Sequence, residues 1–427
     1  MTTFAIATLG CKVNTYESQG YAQGLREYGW EEVGFKETAD VYLIHSCAVT
    51  NTAAAKSRQK IHQAQRQNPE ACIAVAGCYA QIAHEQLAQD PHIDLIVGSD
   101  QKEQLPALIR QTWEDRKRRV LIHDMRQVNA FEAIAVQRFS HQTRAYLKVQ
   151  DGCNQFCSYC IIPYTRGAER SLAPEEVLKK ARMLTANGHA EIVLTGIHTG
   201  RYGREHGMSL ARLMKLLCDE VSGLQRLRIS SIECNEVSDE LIALMKQEKR
   251  IARHLHIPLQ SGDNTILKAM NRQYTLTDYE QRIAVIRKEL DPISISSDVI
   301  CGFPMETEEQ FVSGMDAIRR MKLSFLHVFP YSKRDGTKAA AMSGQLTNVI
   351  KKQRSNRLME LSQELHREYL RSFLQRAVDV LWEREENGYM VGHSGEYLEV
   401  YAPYDSTKLH KMETVIIRDI QDDHAIA

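Results

Sequence analysis

The sequence predicts an α/β protein in three parts: an N-terminal parallel-sheet domain, a central partial (β/α)6 barrel and a C-terminal small β-barrel. Three observations predict it. Short apolar runs alternate with helical patterns through the first 113 residues. The alternation resumes at Thr143 for six more units. From residue 377 the chain turns to short alternating segments punctuated by Gly388, Gly392 and Gly395. A chain of 427 residues has room for roughly two to four domains. The expected boundaries are 1–115, 140–368 and 370–427.

The first strand is the apolar run Phe4–Leu9, closed by Gly10, and a helix follows over Thr15–Tyr28. Val41–Ile44, Ile73–Ala76 and Leu95–Val97 are the next strands. Helices are expected at Thr52–Gln67, after Gln81, and up to Trp113. Short loops between such units imply a parallel sheet covered on both faces. Arg116-Lys117-Arg118-Arg119 then interrupts the pattern, and reads as a solvated linker or as a phosphate contact. The six later strands are Ala145–Val149, Ile192–Leu194, Leu227–Ile232, His254–Leu259, Ile293–Ile300 and Phe325–Phe329. Pro174 opens the helix to Asn187, a position that suits it. Six units fall short of the eight that close a full barrel, so an open one is expected. Lys351–Arg376 is a long polar helix, and Tyr397–Tyr401 and Thr414–Ile417 are strands of the last domain.

Composition excludes several classes. A chain 43% hydrophobic and 25% charged is neither disordered nor fibrous. No apolar run approaches the roughly 18 residues of a membrane span. Met1-Thr2-Thr3-Phe4-Ala5 lacks the basic start of a secretory signal, so a cytoplasmic protein is expected. Lys+Arg and Asp+Glu both number 54, which excludes strong attraction of nucleic acid by the whole surface. Ten cysteines are too few for a disulfide scaffold at this length, and clustered thiols in a reducing compartment bind metal or react.

Cys153, Cys157 and Cys160 fall within eight residues, just after the first strand of the partial barrel. Ligands of open α/β folds gather at the carboxyl ends of strands. Three thiolates there can hold a [4Fe–4S] cluster with one iron left open. A zinc loop completed by a distant residue is the competing reading. Cys11, Cys47 and Cys78 each end a strand of the N-terminal sheet, one βα repeat apart, so their thiols should converge on one sheet edge. The alternative is three small buried hydrophobes. Cys72 and Cys218 fit core packing, while Cys234 and Cys301 lie near strand ends.

Gly10-Cys11-Lys12-Val13-Asn14, Cys47 with Asn51-Thr52, Gly77-Cys78 and the Cys153/Cys157/Cys160 loop together resemble the radical S-adenosylmethionine (SAM) methylthiotransferases over essentially the whole chain. The run Gly10–Ser18, with Leu194–His198 and Arg228–Glu233, resembles the branch that acts on threonylcarbamoyladenosine beside the tRNA anticodon. Sibling branches act on isopentenyladenosine or on a ribosomal-protein aspartate. The resemblance implies two [4Fe–4S] clusters, on Cys153/Cys157/Cys160 and on Cys11/Cys47/Cys78, with SAM as radical source and methyl donor. It implies tRNA as partner, a flavodoxin- or ferredoxin-type reductant, and a last domain like the RNA-binding TRAM module. It places Tyr159, Thr195, Gly196, Glu233 and Gln260 around SAM, with Asp298 and Gly302 as weaker candidates. The sequence departs from the branch at Cys234 and Met305, where Pro and Gly are usual. A non-catalytic, zinc-containing RNA-binding protein is the alternative of another class.

Arg166 and Arg170 suit a phosphate or the threonyl carboxylate, or a surface pair with Glu169. The segment Leu370–Ala427 holds six Lys/Arg against eleven Asp/Glu, a poor footprint for RNA. Stacking by Tyr389, Tyr397, Tyr401 and Tyr404, or phosphate contacts from the basic helix, would have to compensate.

Overall fold

The computed structural model describes residues 1–139 and 143–427. The expected boundary at residue 140 lies outside the described residues. The N-terminal sheet has six parallel strands, in the order Glu31–Glu32, Thr3–Thr8, Val41–Ser46, Cys72–Gly77, Leu95–Val97 and Arg119–Leu121. Val41–Ser46 and Cys72–Gly77 are buried at every residue, which is why they read as unbroken apolar runs. Helices Lys12–Glu27, Asn51–Gln67, Cys78–Leu87 and Leu105–Asp115 follow the strands. The first begins directly after Cys11, three residues before the expected start.

The basic run at 116–119 is built into this unit. Arg116 takes a left-handed turn at φ 55° that ends the helix, and Arg119 opens the sixth strand. Arg118 donates to the carbonyls of Ile93 and Asp90, and Arg119 pairs with Asp115. These guanidiniums serve backbone and carboxylates of their own unit.

The central unit carries six parallel strands in chain order: Arg144–Lys148, Glu191–Thr195, Arg226–Ile229, His254–His256, Ser294–Cys301 and Phe325–Pro330. A bridge between Leu227 and Ile251, and the bond from Ile232 N to His256 O at 3.0 Å, join its two halves. The sheet is an open barrel, as the count of units predicts. Helix Lys12–Glu27 packs along its edge strand Arg144–Lys148. Cys234 and Cys301 are core residues. Met305 takes the left-handed conformation at φ 66°, the geometry that explains glycine at that position in the branch.

The helix Asn348–Arg371 spends much of its basic face internally. Lys351 lies over the Tyr331 ring, and Arg354 pairs with Glu306 at 2.6 Å. The C-terminal sheet has six short strands around fully buried Trp382. It docks against the starts of the barrel strands. Arg226 and Arg228 pair with Glu191 and donate to the carbonyls of Asp379 and Ser394, and Arg144 pairs with Glu383. Among the described residues, no helix is long and apolar enough to cross a membrane.

Candidate active site

Each thiol of the N-terminal triplet follows a strand, and two glycines make the approach possible. Gly10 has φ 103°, and a Cβ there would meet Cys47 Sγ at 2.7 Å. Gly77 has φ 98°, and its Cβ would meet the Ser46 carbonyl at 2.9 Å. Only glycine tolerates both the conformation and the contact. Asn14 pins the same edge, donating to the carbonyls of Leu9 at 2.7 Å and Ser46 at 3.3 Å. Cys11, Cys47 and Cys78 are close enough to influence one another's charge. Burial pushes the Cys47 thiol up to about 11, helped by Cys78 and Cys11. An electropositive ligand is therefore needed to draw the protons off.

Arg166 is the residue whose place differs most from its expected role. It is 1% exposed and out of reach of a tRNA phosphate. Its Nε donates to Cys78 Sγ at 3.3 Å, and its Nη2 donates to Asn14 Oδ1 at 2.7 Å. Its Nη1 reaches Glu17 at 3.2 Å and Asp151 at 3.1 Å. Lys102 and Lys148 complete the network, each 2.6 Å from Asp151. Burial raises the Glu17 carboxyl, but Arg166, Lys102 and Lys148 outweigh it and hold the group well below the ordinary carboxylate range. Arg170 is also buried, donating to the Arg166 carbonyl at 2.7 Å. The two carboxylates face four cations, so this seam between the first two units has a positive excess beside Cys78. A ligand of negative net charge, such as a thiolate-held cluster, suits it.

The loop triplet lies at the same seam. Ile161 packs into the N-terminal core beside Cys78 and Tyr79. Arg334 reaches back to Asn51 and to the Ala48 carbonyl, and Ala339 N donates to Ser158 O at 2.7 Å. One segment therefore clasps the Cys47 turn and the cysteine loop together. Burial pushes the Cys160 thiol up to about 12, with Cys157 adding to it. His198 Nδ1 is 3.5 Å from Cys153 Sγ, and its Nε2 is 2.8 Å from Glu236. Arg272 Nη1 donates to Cys157 Sγ at 3.4 Å and pairs with Glu233.

The residues expected around SAM divide. Thr195 and Gly196 end their strand beside Gln150, whose Oε1 accepts from His198 N at 2.6 Å, so this strand end adjoins Cys153. A Cβ on Gly196 would strike Gln150 Cβ at 2.9 Å, which by itself accounts for the glycine. Glu233 reaches the loop through Arg272, and Tyr159 packs on an apolar cluster with Met270 and Phe303. Gln260 stands apart, at φ 66°, its backbone bonded to Asp298 and Ile300. Arg272 and His198 were not singled out from the sequence. Arg272 lies 115 residues from Cys157, and no local pattern marks it. Tyr397 is no free stacking platform: it lies against His254 at 4.4 Å and under Arg228 at 5.1 Å, on the barrel floor. Tyr401 packs on His424 at 4.2 Å, while Tyr389 and Tyr404 are exposed.

A zinc ion holds thiolates at about 2.3 Å, so their sulfurs sit about 3.8 Å apart. Two groups of described residues draw all their ligand atoms within 4.8 Å, Cys153/Glu169/His198 and His256/Asp298/His327. Neither cysteine triplet is that tight. Neither is therefore arranged as the ligands of one zinc ion.

Known proteins resemble this chain in sequence and in fold. Residues 147–318 match the model of the radical SAM superfamily, and residues 3–98 match "Uncharacterized protein family UPF0004". The radical SAM methyltransferase TsrM from Kitasatospora setae shares the fold, with a TM-score of 0.60 at 14% identity over 80% of this chain and 77% of that one. The protein is thus of the radical SAM class. Threonylcarbamoyladenosine tRNA methylthiotransferase MtaB of Bacillus subtilis is 44% identical over 94% of this chain and 90% of its own length. Its counterpart in Aquifex aeolicus is 38% identical over 86% and 89%. A tRNA-2-methylthio-N(6)-dimethylallyladenosine synthase of Moorella thermoacetica is 34% identical over 89% and 87%. The chain belongs to the radical SAM tRNA methylthiotransferase family.

Proposed function

We infer that the protein replaces the C2 hydrogen of N6-threonylcarbamoyladenosine, beside the tRNA anticodon, with a methylthio group. The observation that carries this reading is the meeting of two cysteine triplets at one seam, in a chain of this family. Cys153, Cys157 and Cys160 would hold one [4Fe–4S] cluster, and Cys11, Cys47 and Cys78 a second. When bound, the first supplies the electron that cleaves SAM to a 5′-deoxyadenosyl radical, and the second carries the sulfur.

The protein's own groups have separable tasks. His198 and Arg272 hold Cys153 and Cys157 in place. Glu233 fixes Arg272. Arg166 offsets thiolate charge at Cys78 and ties that cysteine to the barrel through Asp151. Thr195, Gly196 and Glu233 would contact SAM at the strand ends, Tyr159 would do so from the cysteine loop, and Gln260, which stands apart from them, is the remaining candidate. Exposed Tyr389 and Tyr404 remain for RNA. A flavodoxin- or ferredoxin-type protein is the proposed reductant.

Mass spectrometry of tRNA nucleosides from a deletion strain tests the reading. Loss of the 2-methylthio derivative of threonylcarbamoyladenosine is expected. Loss of the isopentenyl analogue instead, or unchanged tRNA, would overturn it. Anaerobically purified protein should hold roughly eight irons, two cubes of four.

A further inference from the structure

We propose that His256, Asp298 and His327 form a binding site for one divalent first-row transition cation in the barrel lumen, separate from both cysteine triplets. The three residues come from adjacent parallel strands, His254–His256, Ser294–Cys301 and Phe325–Pro330. In register, His256 lies beside Ser296 and Asp298 beside His327. Leu255, Ile295 and Leu326 share one core with Ile283, Ile318 and Leu361 of the outer helices. Alternation therefore turns His256, Ser296, Asp298 and His327 the other way, into the lumen. His256 Nε2 is 3.2 Å from Asp298 Oδ1, and the ligand atoms of all three residues lie within 4.8 Å of one another. Two ligands held at about 2.1 Å and about 100° apart around one ion stand about 3.2 Å from each other. The exposed His327 ring completes the group from the open side.

Each ligand has a lone pair to give. His256 Nδ1 is 2.9 Å from Ser296 Oγ. Donation of the Nδ1 proton to this hydroxyl leaves the lone pair on Nε2, and a metal-bound imidazole is usually oriented by such a contact. Burial and then His256 push the His327 imidazole below its ordinary value, Asp298 opposes them, and Lys12 adds least. The ring is therefore neutral near pH 7. It is held by aromatic contacts, at 5.4 Å to His256 and 5.3 Å to Phe325, and its nitrogens have no hydrogen-bond partner among the described residues. The arginines of the barrel floor do not compete for Asp298: Arg226 and Arg228 pair with Glu191, and Arg144 with Glu383. Two imidazole nitrogens and one carboxylate suit Mn²⁺, Fe²⁺ or Zn²⁺, whereas Mg²⁺ and Ca²⁺ take oxygen ligands. Three protein ligands leave positions open to water or to an oxygen atom of a molecule in the lumen. Three neighbouring strands fix the donors more firmly than loops would.

The test uses full-length, anaerobically reconstituted protein with its iron–sulfur clusters oxidised, and Mn²⁺ as the probe. Room-temperature EPR of free Mn²⁺ should show a single ion bound per chain. Spin-echo modulation of the bound ion should show imidazole nitrogen. One equivalent of Zn²⁺ should displace it, following the usual affinity order, while about a tenfold excess of Mg²⁺ should not. Asp298→Asn and His327→Ala should weaken binding at least about 100-fold, and Ser296→Ala, which frees the His256 ring, about 10-fold. Iron content should stay at the wild-type level in all three. Absence of bound Mn²⁺, modulation without nitrogen, or displacement by Mg²⁺ as readily as by Zn²⁺ would each overturn the site. So would wild-type affinity in Asp298→Asn at full iron content, the mark of an adventitious ion only. The modulation and the competition need no variant, so they decide even if the substitutions unfold the barrel.

Discussion

The two cysteine triplets each present three thiols, but by opposite means. The loop triplet is local: Cys160 N bonds Cys157 O, Gln155 N reaches Cys153 Sγ at 3.5 Å, and Ile162 N reaches Cys160 Sγ at 3.4 Å. Its backbone shape is set largely within the loop, with His198 and Arg272 bracing two of its thiols from outside. The strand triplet spans Cys11 to Cys78 and depends on sheet register, on Gly10 and Gly77, and on Arg166 from the neighbouring unit. A local site can form as soon as its loop does. A distributed site that takes its last contact, Arg166, from the next unit is complete only once the two are docked, so its integrity reports on the seam.

The comparison breaks most sharply at the thiols. Cys157→Ala should abolish both methylthiolation and reductive SAM cleavage, while iron falls from roughly eight to four per chain. Cys78→Ala should cost a similar amount of iron, but 5′-deoxyadenosine should still form without methylthiolated product. Iron assay and chromatography of the two products check both. Next in size is Arg166→Met, which removes the donor to Cys78 Sγ but leaves Lys102 and Lys148 on Glu17 and Asp151. Losing the charged hydrogen bonds of one such member costs about 1.5–3 kcal/mol. Denaturant unfolding should show that loss, and the strand triplet should lose its iron before the loop triplet does.

Legibility in the sequence divides along the same line. The loop triplet is legible because its three ligands share eight residues, and the strand triplet because a regular βα repeat fixes where strands end. The partners that complete the sites lack any such periodicity. Arg272 finds Cys157 from 115 residues away, and Glu17 meets Lys148 across 131. Arg166 looked like a surface cation because its buried carboxylates are remote in sequence. Tyr397 looked free for stacking because nothing local shows that its turn inserts under the barrel. Residue type and spacing locate a strand end and the residues just after it; they do not reveal which distant side chain docks there.

The barrel's other seam sharpens the point under acid. Burial raises the Glu191 carboxyl, but Arg228, Arg226 and Arg144 bring it down to about 2. A carboxylate depressed on folding contributes stability that is whole above its unfolded pKa, about 4.3, and is lost as pH falls through its folded value. Docking of the C-terminal sheet should therefore hold from neutrality down to about pH 4 and fail only toward pH 2. Amide exchange at Asp379 and Ser394–Gly395 measures it. Release near pH 5 would mean Glu191 does not hold the seam.

The smallest effect falls on the helix just after Cys47. Thr50 caps it, its Oγ1 accepting from Ala53 N at 3.1 Å, and Asn51 beside it ties the turn to Arg334 at 2.6 Å. Thr50→Ala should cost about 1 kcal/mol, the usual worth of such a cap. Because the cap lies three residues beyond a strand-triplet thiol, the loss should appear as faster oxygen bleaching of about half the visible absorbance, the share of one cluster in two. Thr275→Ala, at the capping box of a barrel helix, removes a similar bond far from Cys11, Cys47 and Cys78. It should lower stability by a like amount without that selective bleaching. If the two variants bleach alike, the strand triplet is no more dependent on its surroundings than the loop, and the contrast between the sites fails.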